Sequence, residues 1–218
     1  MLRFPYYLLA EWLCFVVAIL LIKKPVPRYW NVIKYYLGIV VATESIAYYL
    51  GWMLKSNNQW IYNLFMVVEF SFDIWFISRL WLFSNFRGLI YTAFISFVIV
   101  YFIEWHQVGI TTFFEKTCIY GSVVAILFCM VYFYSLFQTE HYVNLLKEPA
   151  FWFISGCFIF YATSIGVDTF FSQLVRVKIK HTVSLRYIIM NVLNIILYCF
   201  WIKAVICLKI KEKYISQL

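Results

Sequence analysis

Residues 59–76 read QWIYNLFMVVEFSFDIWF, a run that is almost wholly apolar and aromatic yet carries Glu69 and Asp73 near its middle. A helix needs about 17–25 predominantly apolar residues to cross the hydrocarbon core of a bilayer, and this run has that length. A carboxylate at the centre of such a helix costs about 2.5–3.5 kcal/mol, whereas each Leu or Phe returns only about 0.3–0.6 kcal/mol. Groups that expensive face the interior of a helix bundle or a watery cavity. Glu69 and Asp73 are one turn apart and share a face, with Tyr62 on the same stripe. The stretch therefore makes lipid the solvent and places a polar site inside the protein.

The rest of the chain agrees. Of 218 residues, 65% are hydrophobic and only 13% charged, and the mean hydropathy is +0.83. Soluble domains are about 45–50% apolar and about 25% charged. The aromatic share of 23% suits interfacial belts and tightly packed helices. Seven apolar segments can be drawn, at residues 6–22, 33–54, 60–82, 88–106, 117–138, 150–172 and 186–208. Strands of a membrane barrel would be shorter and alternate in polarity. The expected fold is all-α: a polytopic seven-transmembrane-helix bundle occupying residues 1–218 as one domain. KKPVPRYW (23–30), KSNNQ (55–59), SNFRG (84–88) and KEPAFW (147–152) punctuate it, with Pro149 placed to start a helix. The first segment has Glu11 inside its apolar run and its bases after it, so it is expected to stay rather than be cleaved as a signal.

Orientation follows from the bases. With seven spans, Arg3, Lys55, Lys116, Arg176, Lys178, Lys180 and Arg186 fall on one side, and the other eleven of the 18 Lys and Arg on the opposite side. The positive-inside rule then puts the C-terminus in the cytoplasm and the N-terminus outside. In this setting the formal charge of +8 belongs to span flanks, and no nucleic-acid partner is expected. IYNLFMVVEFSF (61–72) laid on IMNVLNIILYCF (189–200) matches at Ile, Asn and the last Phe. That match is what a parallel 3+1+3 pseudo-repeat would give.

Other polar residues fall at membrane depth. Glu44 is mid-span in the second segment, with Tyr48 one turn on. The seventh carries Asn191, Asn194 and Tyr198 on one face, and the sixth carries Tyr161, Ser164 and Asp168 with the same spacing. Glu11 and Glu104 lie toward the outer side, while Lys203 can snorkel to the cytoplasm. The fourth segment, with only Thr92 and Ser96 in its middle, is expected to be the most lipid-exposed.

Three readings of these acids compete. They can glue helices through Glu–Asn, Glu–Tyr and shared-proton Glu–Asp bonds. They can line a permeation or proton path. Or they can form an acidic pocket, walled by aromatic faces, for a small cationic or amine-like ligand. An enzyme is disfavoured. His106, His141 and His181 fall at span ends or in loops, and no H-E-x-x-H or G-x-S-x-G cluster is present. The six cysteines (14, 118, 129, 157, 199 and 207) form no C-x-x-C pair, so neither metal nor cofactor is expected.

NNQWIYNLFMVVEFSF, KEPAFWFISGCFIFY and YIIMNVLNIILYCFWIKAVIC, in that order, resemble a family of small seven-helix bacterial membrane proteins associated with the Bacteroidetes. The resemblance covers the whole chain. It rests on Asn58, Trp60, Tyr62, Asn63, Glu69 and Phe70, on Pro149, Phe151 and Trp152, and on Asn194, Ile195 and Tyr198. It implies a seven-helix fold in the bacterial inner membrane and supplies no activity. Asp73 lies outside the pattern, which leaves Glu69 as the stronger of the two acids.

The site expected is therefore centred on Glu69 and supported by Glu44, Asp73, Tyr62, Asn63, Asn191, Asn194 and Tyr198, with Asp168 and Glu11 nearer the outer face. The function expected is binding or movement of a small cation, proton or amine-like ligand. The alternative is a sensory or accessory subunit with a mainly structural polar core, signalling through a protein partner at the cytoplasmic face; the basic tail KIKEKYISQL there suits anionic lipid headgroups or such a partner.

Overall fold

The structure, a computed structural model, describes residues 5–23, 26–80, 87–138, 144–179 and 183–215. Arg3, Lys24, His141, Lys180 and His181 lie outside the described residues, as do positions 84–86 of the second polar turn and the last three of the tail.

The described chain is helical apart from one two-residue hairpin. Helix α1 (Tyr6–Leu21) starts after Pro5 and stops where Ile22 turns extended. Its buried stripe, Leu8, Glu11, Cys14 and Ala18, recurs every three or four residues, the spacing of one helical face. Helix α2 (Arg28–Tyr48) begins directly after Pro27, whose fixed φ suits the residue before a helix. It runs on as a π-helical turn, Tyr49–Met53. Helices α3 (Gln59–Leu80) and α4 (Arg87–Val108) follow. Gly109, at φ 75°, closes α4, and its N–H donates to Trp105 O at 2.9 Å, the left-handed glycine cap. Then come α5 (Glu115–Phe137), α6 (Pro149–Thr169), the short α7 (Phe171–Arg176) and α8 (Leu185–Ile215). Between α7 and α8, strands β1 (Lys178–Ile179) and β2 (Val183–Ser184) pair antiparallel.

Among the described residues, five helices are long and apolar enough to cross a membrane: α3, α4, α5, α6 and α8. Helix α1 is apolar but shorter. Large apolar side chains stand exposed along these helices, among them Leu13 and Leu20 on α1 and Ile95, Ile99, Phe102 and Ile103 on α4. In water so much exposed apolar surface would drive association; in lipid it is solvated. Helix α4 is the least enclosed of the five, with 22% of its apolar window buried against 33–50% for the others.

Two compact units divide the chain: Met1–Val41, Thr139–Phe160 and Phe171–Leu218 form the first, and Ala42–Gln138 with Tyr161–Phe170 form the second. Helices α2 and α6 therefore each change unit along their length. The first unit packs α1 against α8. Its core is aromatic: Phe153 stacks on Trp201 at 4.7 Å between centroids, and Trp30 meets Phe153 edge-on. Gly156 lets α8 come close, because a Cβ there would lie 2.8 Å from that of Phe200. The second unit packs α3 and α4 on α5, with Phe70 stacked on Phe97 at 3.8 Å.

Candidate functional site: acids and tyrosines of the second unit

Glu44, Tyr62, Asn63, Glu69, Asp73 and Asp168 all belong to the second unit, whereas Glu11, Asn191, Asn194 and Tyr198 belong to the first. The polar centre of the second unit is built on α3. Asp73 is buried, at 2% exposure, and Glu69 is half-buried. The half-buried Tyr161 of α6 ties them together. Its hydroxyl lies 3.3 Å from Glu69 Oε1 and is also hydrogen-bonded to Asp73 Oδ2. Asp73 Oδ1 has no hydrogen-bond partner among the described residues.

Each neighbouring acid has a partner of its own. Tyr62 donates to Glu44 Oε2 at 3.2 Å. The Cys118 thiol of α5 donates to Asp168 Oδ2 at 3.3 Å. Glu44 and Asp168 both lie close enough to Glu69 for their charges to act on it, and Asp73 bears likewise on the buried Cys129 of α5. Between Tyr161 and Asp168 on the same face of α6 stands Ser164, 3% exposed, with its hydroxyl unpartnered among the described residues. Such hydroxyls usually turn back to their own helix. Ser71, Ser78, Thr92, Ser96, Ser135 and Thr169 all do so, donating to carbonyls three or four residues earlier.

Other polar residues of this unit serve the backbone. Asn63 is fully buried; its Nδ2 donates to Ile110 O at 2.8 Å and Thr112 O at 2.7 Å, and its Oδ1 accepts Phe114 N–H at 3.1 Å. One amide thus holds the α4–α5 loop. Asn57 donates to Thr111 O of the same loop at 2.7 Å. Asn58 Nδ2 donates to Ala47 O at 2.9 Å, at the approach to the π-helical turn. It reaches that carbonyl across Gly51, where a Cβ would lie 2.7 Å from Asn58 Nδ2. Glu104 caps α5. Its two oxygens accept Lys116 N–H at 3.0 Å, Thr117 N–H at 2.7 Å and the Thr117 hydroxyl at 2.6 Å. Carboxylates are favourable at a helix N-terminus because its first N–H groups lack partners in the helix.

In the first unit, the amides of α8 serve their own helix. Asn191 donates to Tyr187 O at 2.7 Å and Asn194 to Met190 O at 2.9 Å. Tyr198 is buried and meets Trp201 edge-on at 5.6 Å. Glu11 is buried on α1 with Cys14 beside it. Lys203 lies 5.7 Å from the Trp152 ring.

The residue most closely engaged with Glu69 and Asp73 is thus Tyr161, which was absent from the expected site. Its spacing to Asp168 had marked it as lying on a polar face of the sixth segment, and nothing local said which face of α3 it would meet. Among the described residues no group of three or more His, Cys, Asp or Glu is arranged to hold a metal ion. What the cluster offers is oxygen acceptors and hydroxyls, suited to a proton or to a small cation that makes hydrogen bonds. Comparisons with family models, curated proteins and solved structures found no match.

Proposed function

We propose that this chain is a seven-span protein of the bacterial inner membrane, N-terminus outside, that binds or moves a small cation, proton or amine-like ligand through the Glu69–Asp73–Tyr161 cluster. The observation that carries the reading is the meeting of two α3 carboxylates on one α6 hydroxyl, with a buried carboxylate oxygen to spare. Bundle glue needs no such arrangement, since Ser, Thr or Asn makes it at far lower desolvation cost. The span count adds α1, which is apolar but shorter, and α2 with its π-helical turn to the five long apolar helices. The orientation rests on the distribution of bases. The kinship with small seven-helix bacterial membrane proteins, and a 3+1+3 repeat, rest on the sequence motifs alone.

A second reading is a sensory or accessory subunit with a mainly structural core. It is favoured by Asn63 and Glu104, whose polar atoms hold a loop and cap a helix. Such a subunit would signal through a partner at the cytoplasmic end of α8, where the exposed Lys211 pairs with Glu148 at 2.8 Å.

The test is proton and monovalent-cation flux in proteoliposomes, comparing wild type with Glu69→Gln. Flux in the wild type that the folded variant loses supports transport through Glu69. An absence of flux in both, with equal thermal stability, turns the reading toward the subunit. A variant that fails to fold assigns Glu69 to the structural core.

A further inference from the structure

A hydroxyl has one hydrogen, and an ionised carboxylate has none to give. Tyr161 makes two oxygen–oxygen contacts, with Glu69 and with Asp73. It can place its own hydrogen in only one of them at a time. With both acids ionised, the other contact would set a carboxylate oxygen against a phenol lone pair, beside a second negative charge and away from water. Two carboxylates sharing one site resolve this by keeping a proton between them. The contacts are satisfied together when one carboxyl donates to Tyr161 and Tyr161 donates to the other.

From this geometry we infer that the cation held by the site is a proton, shared by Glu69 and Asp73 through Tyr161. The inference rests on the proposed site and narrows its ligand. The transfer balances without any outside reactant. Glu69 gives its proton to Tyr161 Oη as Tyr161 gives its own to Asp73 Oδ2, leaving Glu69 ionised, Asp73 protonated and Tyr161 unchanged. The return step reverses each bond. Ser164 is the independent sign of an onward path. Its buried hydroxyl, unlike those that bond back to their helix, has no partner among the described residues and stands one turn from Tyr161 and one turn from Asp168. A hydroxyl both donates and accepts, as a relay requires.

The titratable groups around the pair are few in kind. Helix α2 brings Glu44, held by Tyr62; α6 brings Tyr161 and Asp168; α5 brings Cys129 near Asp73 and Cys118 on Asp168. Helix α4 meets α3 through the apolar stack of Phe97 on Phe70. Bases in the second unit are Lys55, Arg79, Arg87 and Lys116, all at helix ends or in turns.

The test is infrared difference spectroscopy of the full chain in liposomes at neutral pH, in H2O and D2O. The expected result is a carboxylic-acid C=O band that shifts on deuteration, is lost in the Glu69→Gln/Asp73→Asn double variant, and is unchanged when sodium replaces choline in the buffer. Tyr161→Phe, which removes one oxygen and no acid, must displace that band. This keeps the proposal open to refutation should the double variant not fold. Identical spectra for wild type and double variant, a band that sodium abolishes, or a band indifferent to Tyr161→Phe would each overturn it. The flux assay fails separately. A band without flux keeps the resident proton and removes transport, whereas sodium flux without a band removes the proton and keeps transport.

Discussion

The two units of this protein are held by different means. In the first, α1 and α8 approach through small residues, and aromatic rings fill the rest: Cys14 and Ala18 are fully buried, Gly156 admits Phe200, and Trp201 stacks on Phe153. In the second, side-chain hydrogen bonds cross between segments far apart in the chain, from Asn63 to the 110–114 loop, from Glu104 to α5, and from Tyr161 to α3. Charge divides the same way. The first unit holds 14 of the 18 Lys and Arg, and the second holds six of the ten acids. Within lipid, apolar burial gives little drive for helices to associate, so a unit coheres either by close packing or by polar bonds. Close packing is prominent among the described contacts of the first unit, and long-range polar bonds among those of the second. Helices α3 and α8 show the contrast best. Their sequences align at Ile61 with Ile189 and Asn63 with Asn191, yet Asn63 fastens a distant loop while Asn191 bonds back one turn.

That contrast can be broken by substitution, read as thermal unfolding in detergent. The largest effect is expected from Asn63→Ala, which strands two carbonyls and an N–H where the amide was fully buried. At about 1 kcal/mol or more for each lost bond, the loss should reach about 3 kcal/mol. Glu104→Ala should cost about 2 kcal/mol through loss of the α5 cap. A loss below that of an ordinary surface change would show that the second unit does not depend on its polar clamps. In the first unit, Gly156→Ala should cost about 1–2 kcal/mol by overpacking against Phe200, and a neutral outcome would mean α6 and α8 can part at little cost. The smallest effect is expected from Asn194→Ala, within about 0.5 kcal/mol, because only a bond within its own helix is lost. Should Asn194→Ala match Asn63→Ala, the difference between the aligned helices collapses.

Much of the helical pattern was legible in the sequence. Spans read at residues 6–22, 60–82 and 150–172 correspond to α1 (Tyr6–Leu21), α3 (Gln59–Leu80) and α6 (Pro149–Thr169), because apolar run length and Pro149 are local signals. Two helices extend beyond their apolar segments, which hydropathy alone does not delimit. Helix α2 begins at Arg28, ahead of the apolar segment at 33–54, and α8 continues to Ile215, past the segment at 186–208. The Lys and Glu residues of the tail are good helix formers whatever their polarity. The short α7 and the β1–β2 hairpin carry no periodicity to read. The partner of a polar face was the harder matter. The faces of α3 and α6 were each visible as i, i+3, i+4 or i, i+7 sets, but Tyr161 meets Asp73 across 88 residues, and sequence spacing is silent at that range. Asn63 was grouped with the acids by proximity in sequence, although its amide is engaged with the α4–α5 loop.

The contact at Gly51 has a consequence for how such a chain can diverge. Any side chain at position 51 would displace Asn58 from the Ala47 carbonyl, and an apolar residue at 58 would abandon that carbonyl whatever stood at 51. A substitution at either position alone is enough to break the bond. In descendants of this sequence, a bulkier residue at 51 should therefore travel with the loss of asparagine at 58, and a helix α2 without its π-helical turn should be found where both have gone.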